Sequence, residues 1–322
     1  MEAMLTIAKN SDDKDFIEFA TSIGVRNFRF NMDYEKEAVE SINMIRSLKK
    51  NVAIFADFQG VKMRIQLPSD VKECLLRSGD VVHFNVASSH YPYISNFDLY
   101  SAFIREGDVI EISDGRLEGV ISHINNEGID ICFTKVGYPL RQNAGCSILG
   151  NNIPTPHITA QICNNIQESE VILQRKVDWI ILSFVENPDD IYDFTQRMHE
   201  IGIKVMAKIE TPNGISNIYS IMPIVDGIMI GRGDLTATSG TCYASLYEKA
   251  VNALADYPHI FTGIGTFFLA HYSQTKEKIT HESDEILELK DRGIKFIMLS
   301  KEVVNSKYPY ETAKYIQELC SI

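Results

Sequence analysis

Short apolar runs alternate with longer stretches of helical periodicity along most of this 322-residue chain. The runs are rich in β-branched residues, and such an alternation is typical of parallel strands joined by helices. Eight runs stand out, at 5–8, 27–31, 52–57, 179–184, 204–210, 227–230, 259–263 and 296–300. Helical periodicity is found at 33–48, 166–176, 189–199, 215–222, 245–255 and 283–292. The pattern predicts an α/β fold, a (β/α)8 TIM barrel.

The stretch between the third and fourth runs has a different pattern. Short alternating segments at 81–86, 109–112, 119–124 and 129–135 are separated by turn residues such as Ser78-Gly79-Asp80. Alternation with closely spaced turns is typical of antiparallel strands. We therefore predict an inserted, β-barrel-like B domain at 66–145, and a large barrel formed by 1–65 and 146–322.

Charge and composition exclude several classes of function. The chain has 31 basic and 43 acidic residues, a net charge of −12, which disfavours nucleic acid and anionic membranes as partners. It has no apolar run long enough for a membrane span, and we expect no signal peptide. The six cysteines form no C-x-x-C pair, which indicates free thiols in a reducing compartment. We expect a cytoplasmic protein.

Charged residues gather at the ends of the predicted strands, where the active groups of a (β/α)8 barrel lie. Alternate residues of an extended chain share a face, so Arg29, Asn31 and Asp33 are expected together. Further polar ends follow the other runs: Asp57, Lys208 with Glu210, Gly233 with Asp234, and Gly265-Thr266. A lone Lys-x-Glu is usually a solvated pair. The convergence of many such ends on one rim favours a functional site.

Glu210 and Asp234 have the chemistry of a divalent metal site. Mg²⁺ commonly binds through one or two carboxylates and keeps its other positions for water and substrate. Such an ion neutralises an enolate or a phosphoryl group. Lys208 and Arg29 would add positive charge for a small anionic substrate in an otherwise acidic protein. We predict Mg²⁺ or Mn²⁺ as the cofactor.

Two long motifs at these residues resemble the pyruvate kinase family. Lys208-Ile-Glu-Thr-Pro-Asn-Gly214 is similar to K-I-E-N-x-x-G, and residues 226–235 are similar to D-G-I-M-V-A-R-G-D-L. Shorter matches cover most of the chain: Thr6-Ile7, Arg29-Phe-Asn31, Asp57-Phe-Gln-Gly60, Ser183-Phe184, Gly265-Thr266 and Met298-Leu-Ser-Lys-Glu302. The resemblance implies a barrel with an inserted B domain, in agreement with the pattern of runs.

The resemblance also implies a role for each matching residue. Glu210 and Asp234 would hold the metal, and Lys208 would stabilise the phosphoryl group during transfer. Thr266 would lie where enolpyruvate is protonated, and Arg29 would contact phosphoryl oxygens. The remaining implied positions are Gly233, Asp234 and Ser183 for the substrate, and Asn31 and Asp57 for a monovalent cation.

The monovalent-cation region departs from the family pattern. Asp33 and Phe58 stand where the family has serine and threonine, and Lys62 replaces a glutamate. The Lys62 ammonium could take the place of the monovalent ion, paired with Asp33 or Asp57, or it could point into solvent. We favour the first alternative, in which the ammonium replaces the ion, and therefore predict that potassium is not required.

The nucleotide side departs further. Arg64 matches the family, but Tyr34 replaces a histidine, and Asn143-Ala144-Gly145 replaces a lysine-rich segment. The residues for metal and enolpyruvate chemistry are thus better matched than those for ADP, although nucleotide binding stays possible. The chain stops at Ile322, so we expect no C-terminal regulatory domain, and a homodimer through barrel surfaces.

Three functions are consistent with this sequence. The first is a pyruvate-kinase-like phosphotransferase acting on phosphoenolpyruvate, pyruvate or a related 2-oxo acid. The second keeps the barrel and metal but performs aldol, lyase or decarboxylase chemistry through a pyruvate enolate in specialised metabolism. The third is a non-catalytic homologue that acts by binding partners. The presence of Lys208, Glu210, Asp234 and Thr266 favours an enzyme, because a binding protein has no need of an ammonium beside two carboxylates.

Overall fold

The computed structural model describes residues 1–7, 14–32, 35–48, 51–58, 60, 62–86, 90–113, 115–149, 160–266 and 268–322. At 35–37, 160–162, 164, 266 and 302 the description is limited to the backbone.

The strands are, in chain order, β1 (Glu2–Ile7), β2 (Asn27–Asn31), β3 (Ala53–Phe58), β4 (Met63–Gln66), β5 (Glu73–Cys74), β6 (Val81–Asn85), β7 (Tyr93–Ser95), β8 (Val109–Ile112), β9 (Leu117–Ile124), β10 (Gly128–Lys135), β11 (Leu140–Arg141), β12 (Gly145–Ile148), β13 (Trp179–Leu182), β14 (Lys204–Ile209), β15 (Gly227–Gly231), β16 (Phe261–Thr266) and β17 (Phe296–Leu299).

The α-helices are α1 (Lys14–Ser22), α2 (Glu35–Ser47), α3 (Phe97–Tyr100), α4 (Ala160–Gln167), α5 (Glu170–Leu173), α6 (Pro188–Glu200), α7 (Pro212–Ser216), α8 (Ile218–Ile221), α9 (Arg232–Ser239), α10 (Tyr243–Ala255), α11 (Ala270–Thr275), α12 (Thr280–Asp291), α13 (Lys301–Val304) and α14 (Pro309–Ser321). The predicted helix at 166–176 is therefore wrong, because α4 and α5 are separate helices.

Eight parallel strands close into a barrel in the order β1, β17, β16, β15, β14, β13, β3, β2. Their residues alternate between the barrel interior and the surrounding helices. The interior is filled by Met4, Phe55, Trp179, Ile181, Met206, Met229, Phe296 and Met298. The predicted (β/α)8 barrel is confirmed.

The helix α6 illustrates how local sequence builds the outer layer. Asn187 caps its first turn by accepting a hydrogen bond from the Asp189 amide, and Pro188 fits the first helical position. Acidic residues lie in the first turn and basic residues in the last, in line with the helix dipole. Its buried face, which includes Ile191 and Phe194, packs onto the barrel.

A second, smaller closed barrel is inserted between β3 and β13. Its strands follow the order β10, β6, β7, β4, β12, β8, β9, and β5 pairs with β11 beside it. This small barrel has its own apolar core, in which Phe84, Ile110 and Phe133 are buried. The predicted domain boundaries, 66 and 145, fall inside its first and last strands, β4 and β12.

The insertion point places the small barrel at the carboxyl ends of the large barrel's strands. β3 ends at Phe58, and β4 begins only a few residues later, at Met63. The segment between them includes Lys62, which therefore lies where the two barrels meet. Among the described residues, no helix is long and apolar enough to cross a bilayer.

Candidate active site

The charged residues that the sequence singled out lie at one end of the large barrel. Arg29 is in β2 and Asp57 in β3, while Ser183 directly follows β13. β14 carries Lys208 and is followed by Glu210, and Asp234 lies in the first turn of α9, directly after β15. The carboxyl ends of neighbouring strands thus bring together side chains that are far apart in sequence.

Arg29 and Asp57 form a buried ion pair. Nε and Nη2 of Arg29 lie 2.7 Å and 2.6 Å from Oδ2 of Asp57, and the aspartate side chain is 2% exposed. Burial raises the pKa of the Asp57 carboxyl, but the charges of Arg29 and Lys208 outweigh burial and hold that pKa below its ordinary value. Asp57 is therefore a carboxylate that orients the guanidinium.

Lys208 lies among three oxygen-bearing side chains. Its Nζ is 2.8 Å from Oε1 of Glu210, 3.9 Å from Oδ2 of Asp57 and 3.4 Å from Oγ of Ser183. Burial lowers its pKa, but the charges of Asp57 and Glu210 outweigh burial and raise it above the ordinary lysine value. The ammonium stays charged, while Ile209 faces the helical layer.

Glu210 is 1% exposed and is positioned by backbone as well as by Lys208. The amide of Phe184 donates to Oε2 of Glu210 at 3.1 Å. A Cβ at Gly231 would lie 2.6 Å from Oε1 of Glu210, so only glycine leaves room for this carboxyl position. Burial raises the pKa of Glu210. The charge of Lys208 lowers this pKa and the charge of Asp234 raises it, and the net result is a pKa above the ordinary value.

Asp234 forms an ion pair with Lys62. Burial opposes ionisation, but the charges of Lys62 and Lys208 outweigh burial and lower the pKa of Asp234. The Thr238 hydroxyl lies 2.8 Å from the Glu210 carbonyl oxygen and 3.0 Å from the Asp234 carbonyl oxygen, so the two acidic residues are neighbours.

Lys62 has a partner, Asp234, that was not among the two expected for it, Asp33 and Asp57. The ion pair that the structure describes for Lys62 is with Asp234. The described ion-pair partners of Asp57 are Arg29 and Lys208. Asp33 lies outside the described residues.

The first turn of α9 adds backbone donors to the site. Gly233 and Asp234 are the second and third residues of this helix, and the first amides of a helix have no acceptor within it. Arg232 serves a different purpose, because its Nη1 lies 3.0 Å from Oε1 of Glu285 in α12. This ion pair fixes the helix that presents Asp234.

The remaining predicted residues lie at the margin of this cluster or outside it. Asn31 pairs in register with Asp57 across β2 and β3. Thr266 ends β16. Arg64, in β4 of the small barrel, donates from Nη1 to the Asn143 carbonyl at 2.7 Å. Tyr34 lies outside the described residues.

Two contributors were not foreseen as site residues. The buried Thr6 hydroxyl accepts from Nη1 of Arg29 at 3.0 Å, and Thr6 is in register with Arg29 across β1 and β2. Phe184 has a positive φ of 59°, unusual for a residue with a side chain. That backbone carries the amide that donates to Glu210. The contact of Thr6 with Arg29 could have been predicted from the position of Thr6 in β1. No sequence signal indicates the positive φ of Phe184.

The described residues offer two adjacent carboxyl groups for a metal ion, those of Glu210 and Asp234. They contain no cluster of three or more histidine, cysteine or acidic side chains suited to one. Two carboxylates are compatible with Mg²⁺, which takes its other ligands from water and substrate. The donor set fits a hard divalent cation with open positions.

The family model that matches this chain and the three related proteins described next all carry the name pyruvate kinase. The family model described as "Pyruvate kinase, barrel domain" matches residues 2–313. Pyruvate kinase of Clostridium perfringens (strain 13 / Type A) is 25% identical over 96% of this chain and 67% of its own length. Pyruvate kinase 2 of Synechocystis sp. is 25% identical over 98% of this chain and 55% of its own length. For Methanocaldococcus jannaschii pyruvate kinase the identity is 26%, over 91% and 63%.

Fold and site together define a (β/α)8-barrel protein with an inserted small barrel and a charged cluster at the carboxyl ends of its strands. The chain belongs to the pyruvate kinase family, as the match over residues 2–313 shows. It spans between 55% and 67% of the length of the three relatives just described.

Proposed function

We propose that the chain is a pyruvate-kinase-like, divalent-metal-dependent enzyme that acts on phosphoenolpyruvate, pyruvate or a related 2-oxo acid by phosphoryl transfer. The observation that carries this proposal is the contact of Lys208 with Glu210, a residue that neighbours Asp234 through the shared Thr238 hydroxyl. An ammonium beside two adjacent carboxyl groups is an arrangement suited to a substrate that is both anionic and metal-bound.

Glu210 and Asp234 would hold Mg²⁺ or Mn²⁺ in this proposal. When bound, the ion would neutralise negative charge on substrate oxygens, as divalent cations do in phosphoryl and enolate chemistry. The chain's own contribution is to fix both carboxyl groups, through the Phe184 amide for Glu210 and through α9 for Asp234.

The cations of the site would bind and orient the substrate. Phosphoryl transfer depends on positioning and charge neutralisation more than on covalent help from the protein. Arg29, oriented by Asp57 and Thr6, would bind phosphoryl oxygens, and Lys208 would stabilise the group during transfer. The first-turn amides of α9, at Gly233 and Asp234, would receive the substrate carboxylate, because a helix N-terminus favours anions.

Several secondary properties belong to the same proposal. Potassium would not be required, because the Lys62 ammonium supplies a positive charge within the site. A steep rise of activity with added potassium would contradict this. The partners are a small anionic substrate and a second copy of the chain through barrel surfaces, with Arg64 and Tyr34 on the nucleotide side. A cytoplasmic location is supported by six free cysteines.

Replacing Lys208 tests the phosphoryl-transfer step. Lys208→Met should reduce transfer between phosphoenolpyruvate and ADP by about 100-fold or more, because a buried charge stabiliser is lost. Mn²⁺ binding should persist. Lys204→Met is the matched control, since Lys204 is exposed at the opposite end of the same strand. A fully active Lys208→Met enzyme would remove Lys208 from the mechanism.

Replacing the two carboxylates tests the metal site. The Glu210→Gln, Asp234→Asn double variant keeps the side-chain shapes but removes the charges that bind a divalent cation. We expect Mn²⁺ binding to be lost, measured by electron paramagnetic resonance of the free ion. Glu118→Gln, at a partly exposed position of the small barrel, should bind normally. Unchanged affinity in the double variant would place the metal elsewhere.

Binding experiments distinguish the alternative functions. Calorimetric titration with Mg²⁺ and oxalate or pyruvate, with and without ADP, measures each ligand separately. Binding of both the acid and ADP is the outcome expected for phosphoryl transfer. Tight oxalate binding without ADP binding would favour a metal-dependent aldolase, lyase or decarboxylase. Absence of metal, acid and nucleotide binding would favour a non-catalytic homologue.

A further inference from the structure

Lys62 links the two barrels through its position and its charge. It lies between β3 of the large barrel and β4 of the small barrel, and its Nζ is paired with Oδ1 of Asp234. The side chains of Lys62 and Asp234 are only 13% and 18% exposed, respectively. This ion pair is therefore partly shielded from water, unlike the exposed pairs on the surface of the small barrel.

The small barrel holds Lys62 from two sides. Nδ2 of Asn96 donates to the Lys62 carbonyl at 3.1 Å. A Cβ at Gly145, the first residue of β12, would lie 2.7 Å from Cε and 3.1 Å from Nζ of Lys62. Glycine at 145 thus leaves the space that the lysine side chain fills on its way to Asp234.

Among the described residues, the cluster has as many cationic groups as carboxyl groups. Its carboxyl groups belong to Asp57, Glu210 and Asp234. Its cationic groups belong to Arg29, Lys208 and Lys62. A divalent cation bound to Asp234 would share its carboxylate with the Lys62 ammonium. Two positive charges bound to one carboxylate in a largely buried site repel each other strongly.

We propose that Lys62 is a tethered competitor of the divalent cation for Asp234, so that an ion gains both carboxylates only when the Lys62 ammonium withdraws. The inference rests on the proposed function, because it takes Glu210 and Asp234 as the metal ligands. It assigns to Lys62 a role in setting metal affinity, and it makes metal binding depend on a residue that the small barrel anchors.

Metal affinity of charge-removing variants tests this competition. Mn²⁺ alone is titrated into the 322-residue chain, and the free ion is measured by electron paramagnetic resonance. Lys62→Met keeps most of the aliphatic side chain but removes the ammonium, and Lys62→Gln is a second neutral variant. Both should bind Mn²⁺ at least about tenfold more tightly than the wild type, a change of about 1.4 kcal/mol.

Three further variants serve as controls. Lys62→Arg keeps the positive charge and should retain an affinity close to that of the wild type. Lys135→Met removes an exposed ammonium of the small barrel and should change nothing. In an Asp234→Asn background, Lys62→Met should no longer raise affinity, because two groups that act on each other give non-additive effects.

The outcomes separate this inference from the proposed function. If folded Lys62→Met and Lys62→Gln bind Mn²⁺ no more tightly than the wild type, while Glu210→Gln abolishes binding, the metal site stands and the competition is refuted. If neither the wild type nor the Lys62 variants bind Mn²⁺, both the metal site and the competition are refuted. Circular dichroism establishes that each variant is folded.

Discussion

Asp57 is the carboxylate around which two cations of the site, Arg29 and Lys208, are arranged. It accepts from Arg29 and from Ser183, and Lys208 lies 3.9 Å away. Removing one partner of a buried ion pair leaves an uncompensated charge, which costs about 3–5 kcal/mol. We expect Asp57→Asn to lower the free energy of unfolding by about 3 kcal/mol in urea titrations.

The matched control is Glu118→Gln, which breaks an exposed pair with Lys135. It should cost less than about 1 kcal/mol, because water and salt screen surface pairs. Equal, small losses for both variants would mean that Asp57 contributes no more than a surface charge.

The same residue gives the protein a pH dependence of known sign. Burial raises the pKa of Asp57, but Arg29 and Lys208 outweigh burial and hold the pKa below the ordinary value of 3.8. The stabilising contribution of Asp57 is therefore complete above pH 3.8 and is lost as the pH falls through the folded-state pKa. Wild-type stability should fall more steeply in this acidic range than that of Asp57→Asn. Parallel pH profiles would contradict the assignment.

At the residue scale, contacts within one strand were predictable and contacts between barrels were not. Strand alternation predicted Lys208 beside Glu210, and their charged atoms are 2.8 Å apart. Asp234, which pairs with Lys62, is 172 positions away from it in sequence. The direction of the Lys62 side chain depends on how the small barrel packs against the large one, and no local sequence pattern indicates that arrangement.

At the element scale, β16 depends on glycine for its fit against β17. A Cβ at Gly263 would lie 2.3 Å from the ring of Phe296, which is fully buried in the barrel interior. We expect Gly263→Ala to lower the free energy of unfolding by about 2 kcal/mol or more, because overpacked cores are strained. Urea titration followed by Trp179 fluorescence measures the loss, since Trp179 lies in the same interior.

A second substitution tests whether this close approach is the cause. Phe296→Leu should recover part of the stability of Gly263→Ala, although it is destabilising alone. Such non-additivity is expected for residues in contact. Additive losses in the double variant would show that the ring of Phe296 is not what opposes a side chain at 263.

This packing also explains where the strand prediction failed. The predicted run ends at 263, whereas β16 is Phe261–Thr266. Gly263 is the last residue of the predicted run and Gly265 lies beyond it, and glycine generally weakens strands. In the barrel both glycines lie within the strand, because the side chains of Phe296 and Met298 occupy the space beside them. The helix predicted at 166–176 failed for a different reason, because the backbone of Ser169, with φ −58° and ψ 138°, is not helical and separates α4 from α5.

At the scale of the whole molecule, the two barrels have separate apolar cores. The core around the large barrel's strands and helices includes Phe194, and the small barrel's core includes Phe133. The alternation of apolar runs and helical segments was enough to predict the large barrel, because eight successive strand–helix units are typical of a closed (β/α)8 barrel. The closure of the small barrel was less predictable, because short strands such as β7 and β12 have no strong pattern.

Separate cores predict that the two barrels respond separately to core damage. Phe133→Ala removes a fully buried ring from the small barrel and should cost about 3–5 kcal/mol there. Hydrogen exchange of small-barrel peptides, read by mass spectrometry, should accelerate. The urea midpoint of Trp179 should stay unchanged, because this single tryptophan stacks on Phe55 in the large barrel, with ring centroids 5.2 Å apart.

Phe194→Ala is the reciprocal control, since it makes the same change in the large barrel's core. It should lower the Trp179 midpoint. A Phe133→Ala variant that lowers the Trp179 midpoint as much as Phe194→Ala does would show that both barrels unfold as one cooperative unit. Contacts across the junction, the Lys62–Asp234 pair among them, would then stabilise the molecule as strongly as the two cores do.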